Sequence, residues 1–238
     1  MNRRQFLIGL TTIGAVGALS TLPRFSQQEK WLVSAGSDNN NNFFAAAFNA
    51  DGQLINKVPL PARGHDSLAM PHKPGHALIF ARRPGHYVVE VDFINGRIVK
   101  TIAAPNGQHF YGHGIFNHDH SILVTSENDY HQGRGLIVLR DSTSYQVLEQ
   151  FDSGGIGPHQ LALMPDKKQL VIANGGILTH PDQPRAKLNL ATMAPNLAYL
   201  ELATGKVIEK YQLDNKQLSI RHLAVAKTGK VIAGLQYQ

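Results

Sequence analysis

Tyr111-Gly112-His113-Gly114-Ile115-Phe116 opens a stretch in which a histidine, an apolar run, a turn and a second apolar run follow in order. The same phrase returns as Arg63-Gly64-His65-Asp66, as Gly157-Pro158-His159-Gln160 and as Ile220-Arg221-His222-Leu223. The steps between the four histidines are 48, 46 and 63 residues. Repeats of this length are the signature of four-stranded propeller blades. Each blade copies one geometry, so equivalent residues fall on a ring around a common axis.

Outward from the histidines, segments rich in Val, Ile, Leu, Tyr and Phe alternate with Gly, Asn, Asp and Pro, the pattern of strands and tight turns. A first unit has strands at 30–34, 43–48 and 54–59, with a turn at Asn49-Ala50-Asp51-Gly52. The second has them at 67–70, 77–81, 87–92 and 98–102, with Asn95-Gly96 predicting a tight hairpin. The third occupies 114–116, 121–126, 135–140 and 146–151; the fourth 160–164, 169–173, 196–202 and 206–212. A fifth begins at His222 and reaches two strands, 223–226 and 231–235. No segment carries a long helical period. The expected fold is all-β, a β-propeller with about four to five blades' worth of chain. A β-sandwich is the alternative, and the regular four-strand beat argues against it. The end of the chain reads as the middle of a repeat, so a C-terminally truncated propeller is expected.

The ends and the composition speak to location. Asn2-Arg3-Arg4-Gln5-Phe6-Leu7 resembles a twin-arginine export signature, followed by a weakly apolar run diluted by Gly9, Gly14 and Gly17. The run is short of the roughly 20 apolar residues that span a bilayer. The expected organisation is a twin-arginine signal peptide over residues 1–28 and a partial propeller over 29–238. The product is expected in the periplasm, without stable membrane insertion once the signal is cleaved. The chain has no cysteine, which excludes disulfides and thiolate metal sites. Its net charge of +6 includes three signal arginines, leaving 20 basic against 17 acidic residues. That balance offers no case for nucleic acid.

The chain resembles an uncharacterised family of twin-arginine-exported bacterial propellers, catalogued as domain of unknown function fifteen-thirteen. The resemblance rests on Arg63-Gly64-His65-Asp66, Phe80-Ala81-Arg82-Arg83-Pro84-Gly85, His109-Phe110-Tyr111-Gly112-His113-Gly114 and Glu127-Asn128-Asp129-Tyr130. It continues through Gly154-Gly155-Ile156-Gly157-Pro158-His159, the segment Ala173 to Pro181, Lys187-Leu188-Asn189 and Ser219-Ile220-Arg221-His222-Leu223. It implies a seven-bladed propeller in full-length members and a periplasmic companion of imelysin-type, iron-regulated proteins. It implies no established reaction.

The first strand of a propeller blade lines the channel, so His65, His113, His159 and His222 are expected near one mouth. Neutral imidazole is the commonest metal ligand, and such a ring suits a transition metal: copper, iron or zinc. Against this stands a structural reading, in which each ring bonds the backbone of the neighbouring blade. Asp66, Arg82, Arg83, Glu127, Asn128, Asn174, His180 and Arg221 are expected to complete a polar, ligand-binding mouth. The stretch Gly175 to Pro195 lengthens the fourth repeat by about 16 residues. It is a candidate lid or partner surface. No Gly-x-Ser-x-Gly elbow, Walker loop, dinucleotide fingerprint or His-Glu-x-x-His motif occurs, and no catalytic residues are assigned. Two functions remain open. One is a ligand- or protein-binding module linked to periplasmic iron or metal handling. The other is a metal-dependent redox or hydrolytic enzyme, with Glu127 or Arg82 assisting.

Overall fold

The computed structural model describes residues 30–183 and 186–238. The signal segment expected over residues 1–28 lies outside the described residues. Five antiparallel sheets follow one another along the chain. The first holds β1 (Leu32–Ser37), β2 (Phe43–Phe48) and β3 (Leu54–Pro59). The second holds β4 (Gly64–Ala69), β5 (His76–Ala81), β6 (Tyr87–Asp92) and β7 (Arg97–Ala103). The third holds β8 (Gln108–Phe116), β9 (Ile122–Asp129), β10 (Arg134–Asp141) and β11 (Val147–Asp152). The fourth holds β12 (Pro158–Leu163), β13 (Gln169–Asn174), β14 (Asn196–Glu201) and β15 (Val207–Gln212); the fifth holds β16 (Leu218–Val225) and β17 (Val231–Tyr237). Each strand pairs with the next, and the first strands β1, β4, β8, β12 and β16 pack side by side. This is a β-propeller built of successive blades.

Burial follows from that arrangement. Middle strands lie between two neighbouring blades, so both faces are dry and the sequence runs apolar without alternation. Ala-Leu-Ile-Phe-Ala of β5 and Leu-Val-Ile-Ala of β13 are the examples. Outer strands face water, and β11 and β15 are almost wholly exposed. Apolar clusters fill each junction. Ala45, Val58, Ile79 and Val89 meet between the first two blades, Phe80, Phe110, Leu123 and Tyr145 between the next two, and Val124, Ile137, Leu161 and Ile172 beyond them. Each such large side chain contributes roughly 1.5–3 kcal/mol of burial free energy. Phe80 is fully buried in the second junction, and its truncation to alanine is expected to cost roughly 3–5 kcal/mol.

Two local expectations are corrected. The first strands of the later blades begin two to six residues earlier than the apolar pattern places them, so the histidines sit inside strands. Asn95-Gly96 does not make a two-residue hairpin. Phe93 to Gly96 form a four-residue loop, in which Asp92 Oδ1 accepts from the amides of Ile94 and Asn95 at 2.9 and 3.0 Å. Gly96 alone of the Asn-Gly pair takes a positive φ, 66°. Among the described residues no helix is long and apolar enough to cross a membrane.

Candidate functional site: a histidine cluster at the channel mouth

Every histidine-bearing first strand breaks register at its histidine or, in β16, at the residue before it. In β4 the break lies between Gly64 and Asp66, with His65 as the extra residue. In β8 it lies between Phe110 and Gly114, so Tyr111, Gly112 and His113 oppose only Ser126. In β12 it lies between Pro158 and Leu161, and in β16 between Ile220 and His222. A β-bulge bends its strand and re-aims a side chain. The repeated phrase therefore encodes a repeated bulge, and the bulges turn imidazoles toward one another.

His65, His113 and His159 converge, with ring nitrogens within 4.8 Å of one another. His65 Nε2 and His113 Nε2 are 3.1 Å apart. The two rings share a hydrogen bond at a spacing close to the roughly 3.3 Å between two nitrogens on one tetrahedral zinc. Asp66 Oδ2 accepts from Nδ1 of His113 at 2.8 Å. An ionised carboxylate only accepts, so the His113 proton sits on Nδ1 and the Nε2 lone pair faces the cluster. His159 is buried, and its Nδ1 has no hydrogen-bond partner. None of the three rings bonds a backbone carbonyl of a neighbouring blade; the contacts between blades here run through side chains, His113 to Asp66 and to His65.

Two glycines make the approach possible. Gly112 has φ 109°, and a Cβ there would meet His65 Cδ2 at 2.6 Å. Gly157 has φ 65°, and a Cβ there would meet Tyr111 Oη at 2.5 Å. A buried serine sets the spacing between blades. Ser126 Oγ lies 3.1 Å from the carbonyl of His113 and 3.3 Å from that of His159. Sequence reasoning missed Ser126; a small hydroxyl in a run of strand residues gives no signal until the bulge opposite it is known.

The expected ring of four closes to three. His222 stands beside the cluster, its ring 4.9 Å from His159 and 5.7 Å from His113. The extra residue of β16 is Arg221, so His222 has returned to regular pairing opposite Gly234. His65, His159 and His222 are held neutral. Burial, then His113, pushes His65 down to about 4, although one edge of its ring is open to the channel. Burial, then His113 and the arginines, holds His159 far below the usual range. Burial, then His113 and Arg221, also lowers His222.

The polar mouth set divides. Arg82, Arg83 and Arg221 line a cavity of about 350 Å³ with His65, His159 and His222, and an adjoining one of about 610 Å³. Asp66 orients His113. Glu127, Asn128, Asn174 and His180 line neither cavity. Strand β9 continues through Asp129, past the end expected at Ser126, so Glu127 and Asn128 remain in the sheet and are buried there. Glu127 Oε1 accepts from Arg140 at 2.7 Å and from Thr125 at 2.6 Å. Asn174 bonds Ser153 and Asn196 across its own blade. His180 packs on Tyr130, 4.7 Å between rings. The long insertion does reach the mouth: Ile177, Thr179, Ala186 and Lys187 line the larger cavity. It is anchored by Asn189, which bonds Leu178 N and Gly176 O, and by Tyr111 Oη, which donates to the Ile177 carbonyl at 2.8 Å.

Residues 58–238, which carry all four histidine phrases, match the model of a family described as "Protein of unknown function (DUF1513)". The chain belongs to that family. This DUF1513 protein shares its fold with the WD40 β-propeller domain of Doa1, at TM-score 0.63 and 15% identity over 87% of this chain and 58% of that one. It is similar also to the Dos1 propeller, at TM-score 0.55 and 14% identity over 84% of this chain and 51% of that one. It thus spans a little over half of either solved chain. At such identity the likeness concerns fold alone. No curated protein matches the sequence.

Proposed function

We propose that this DUF1513 propeller is an exported binding module that holds a divalent transition metal at its channel mouth on His65, His113 and His159. The observation that carries the reading is the convergence of three imidazoles, one of them oriented by Asp66, with no backbone partner for any. Carboxylate-oriented histidine is the usual outer support of a metal ligand. Imidazole donors without thiolate suit copper, iron or zinc. His65 and His159, held neutral by burial, need release no proton before they bind. The twin-arginine signature supports a periplasmic location, and the family resemblance supports a role in iron or metal handling beside imelysin-type proteins.

A second reading, a metal-dependent enzyme, is favoured by one observation. Three protein ligands beside a cavity leave a coordination position open, as catalytic sites do. It has lost one assistant, because Glu127 is paired with Arg140 inside the third blade.

Metal content of the full chain, measured by plasma mass spectrometry, tests the proposal. Near one metal per chain is expected in the native protein, and less than a tenth of that in a His113→Ala/His159→Ala variant with an unchanged circular dichroism spectrum. Metal-free native protein after growth and dialysis with copper, iron and zinc sinks it.

A further inference from the structure

Arg221 is a buried cation with no acidic partner within ion-pair distance among the described residues. It is more than nine-tenths buried, and its Nε has no partner. It occupies the bulge of β16 and lines both cavities at the mouth. Arg83 lines both as well. Its guanidinium donates to Tyr111 Oη and lies over that ring, 4.9 Å from the centroid, which leaves further N–H groups to spare. Arg82 also lines both cavities, and Lys187 adds a fourth cation to the larger one. No aspartate or glutamate is among the described residues lining either cavity. Asp66 is engaged by His113. The crowding has a consequence of its own: burial, then the charge of Arg83, lowers Arg221 to about 10. A buried cation set beside a second one without a counter-charge is expensive unless something negative completes the pair.

We propose that the channel mouth binds a small oxyanion, of phosphate or carboxylate chemistry, between Arg83 and Arg221. Guanidinium groups match the oxygen spacing of both classes through paired N–H donors. A cavity of about 350 Å³ has room for inorganic phosphate, a simple phosphate ester or a short dicarboxylate. His65 and His159 line the same cavity, so an anion held there stands beside the histidine cluster. The arginine site stands without the metal; a bridge from anion to metal rests on the metal reading given above.

The test is calorimetry and thermal melting of the full chain with inorganic phosphate and with oxalate, before and after loading with zinc. Variants are Arg221→Met, Arg83→Gln and His113→Ala. At least one anion is expected to bind the metal-free protein and raise its melting temperature. Arg221→Met is expected to weaken that binding at least tenfold, to leave zinc affinity unchanged, and to melt no lower than the native chain when anion is absent. Tighter phosphate than oxalate assigns the phosphate class, and the reverse order the carboxylate class. If neither anion binds at millimolar concentration, or Arg221→Met binds as the native chain does, the proposal fails, even where zinc still binds. If anion binds through Arg221 but zinc does not bind, the anion site stands and the metal reading falls. A zinc-dependent gain in anion affinity, lost in His113→Ala, establishes the bridge.

Discussion

The third blade and the channel mouth both bury arginine, and they treat it oppositely. Arg140, 3% exposed, is paired with Glu127, and Thr125 donates to the same carboxylate oxygen. Close by, Glu90 accepts from Lys73, His76 and Tyr145 at the junction of the second and third blades. Arg221, 6% exposed, lines its cavity beside Arg82, Arg83 and imidazoles, with no carboxylate among the described lining residues. A charge balanced inside the protein is part of the fold. A charge left unbalanced against an open cavity is set for something that arrives from solvent. The histidines divide in the same way. His109 bonds the Phe110 carbonyl and Thr179 Oγ1 at 3.0 and 3.2 Å, whereas His159 keeps a buried nitrogen without a partner.

The largest effect should come from breaking the balanced pair. Arg140→Met leaves Glu127 buried and alone, and a loss of about 3–5 kcal/mol in urea unfolding is expected. Arg221→Met, the matching change at the mouth, should lose nothing. Equal destabilisation by the two changes would erase the contrast between the regions.

Acid should separate interior from mouth next. Burial pushes His109 down to about 4. The unfolded chain takes up that proton near pH 6.5 and the folded chain resists it, so the stability at stake is full above pH 6.5 and falls as pH drops toward 4. The expected loss is about 3 kcal/mol for this one group. His109→Gln should remove that part of the pH dependence, read from denaturant midpoints at pH 7 and pH 4.5. An unchanged slope in the variant would mean that His109 is not held neutral by its burial.

The smallest effect on stability, and the sharpest on binding, should follow Asp66→Asn. Asp66 is partly exposed, so the fold should change by less than about 1 kcal/mol. Losing the carboxylate that orients His113 should lower zinc affinity about 10- to 100-fold. Loss of stability with unchanged zinc affinity would place Asp66 with the interior pairs instead.

Much of this was legible along the chain. The 48- and 46-residue steps mark successive blades, and Tyr87 to Asp92 has the strand bounds that its apolar run predicts. The histidine phrases point to the mouth because a repeat copies position as well as fold. The register breaks were hidden. The apolar pattern starts each first strand only after its histidine, and the structure runs strand straight through the histidine with one or more extra residues. The same blindness placed Glu127 and Asn128 at the mouth: nothing local shows that β9 carries on to Asp129.

What the amino-acid order determined alone is therefore the local and the periodic: strands, turns, the blade beat, the absence of thiol chemistry, and which side chains recur at one level. Only the tertiary structure decided which of them meet. Three histidines cluster and a fourth stands aside because one bulge in β16 falls a residue earlier. Glu127 has a counter-charge and Arg221 has none because packing places one between blades and the other beside open space. Burial and charge balance depend on neighbours distant in sequence, and those neighbours are set by how the blades pack.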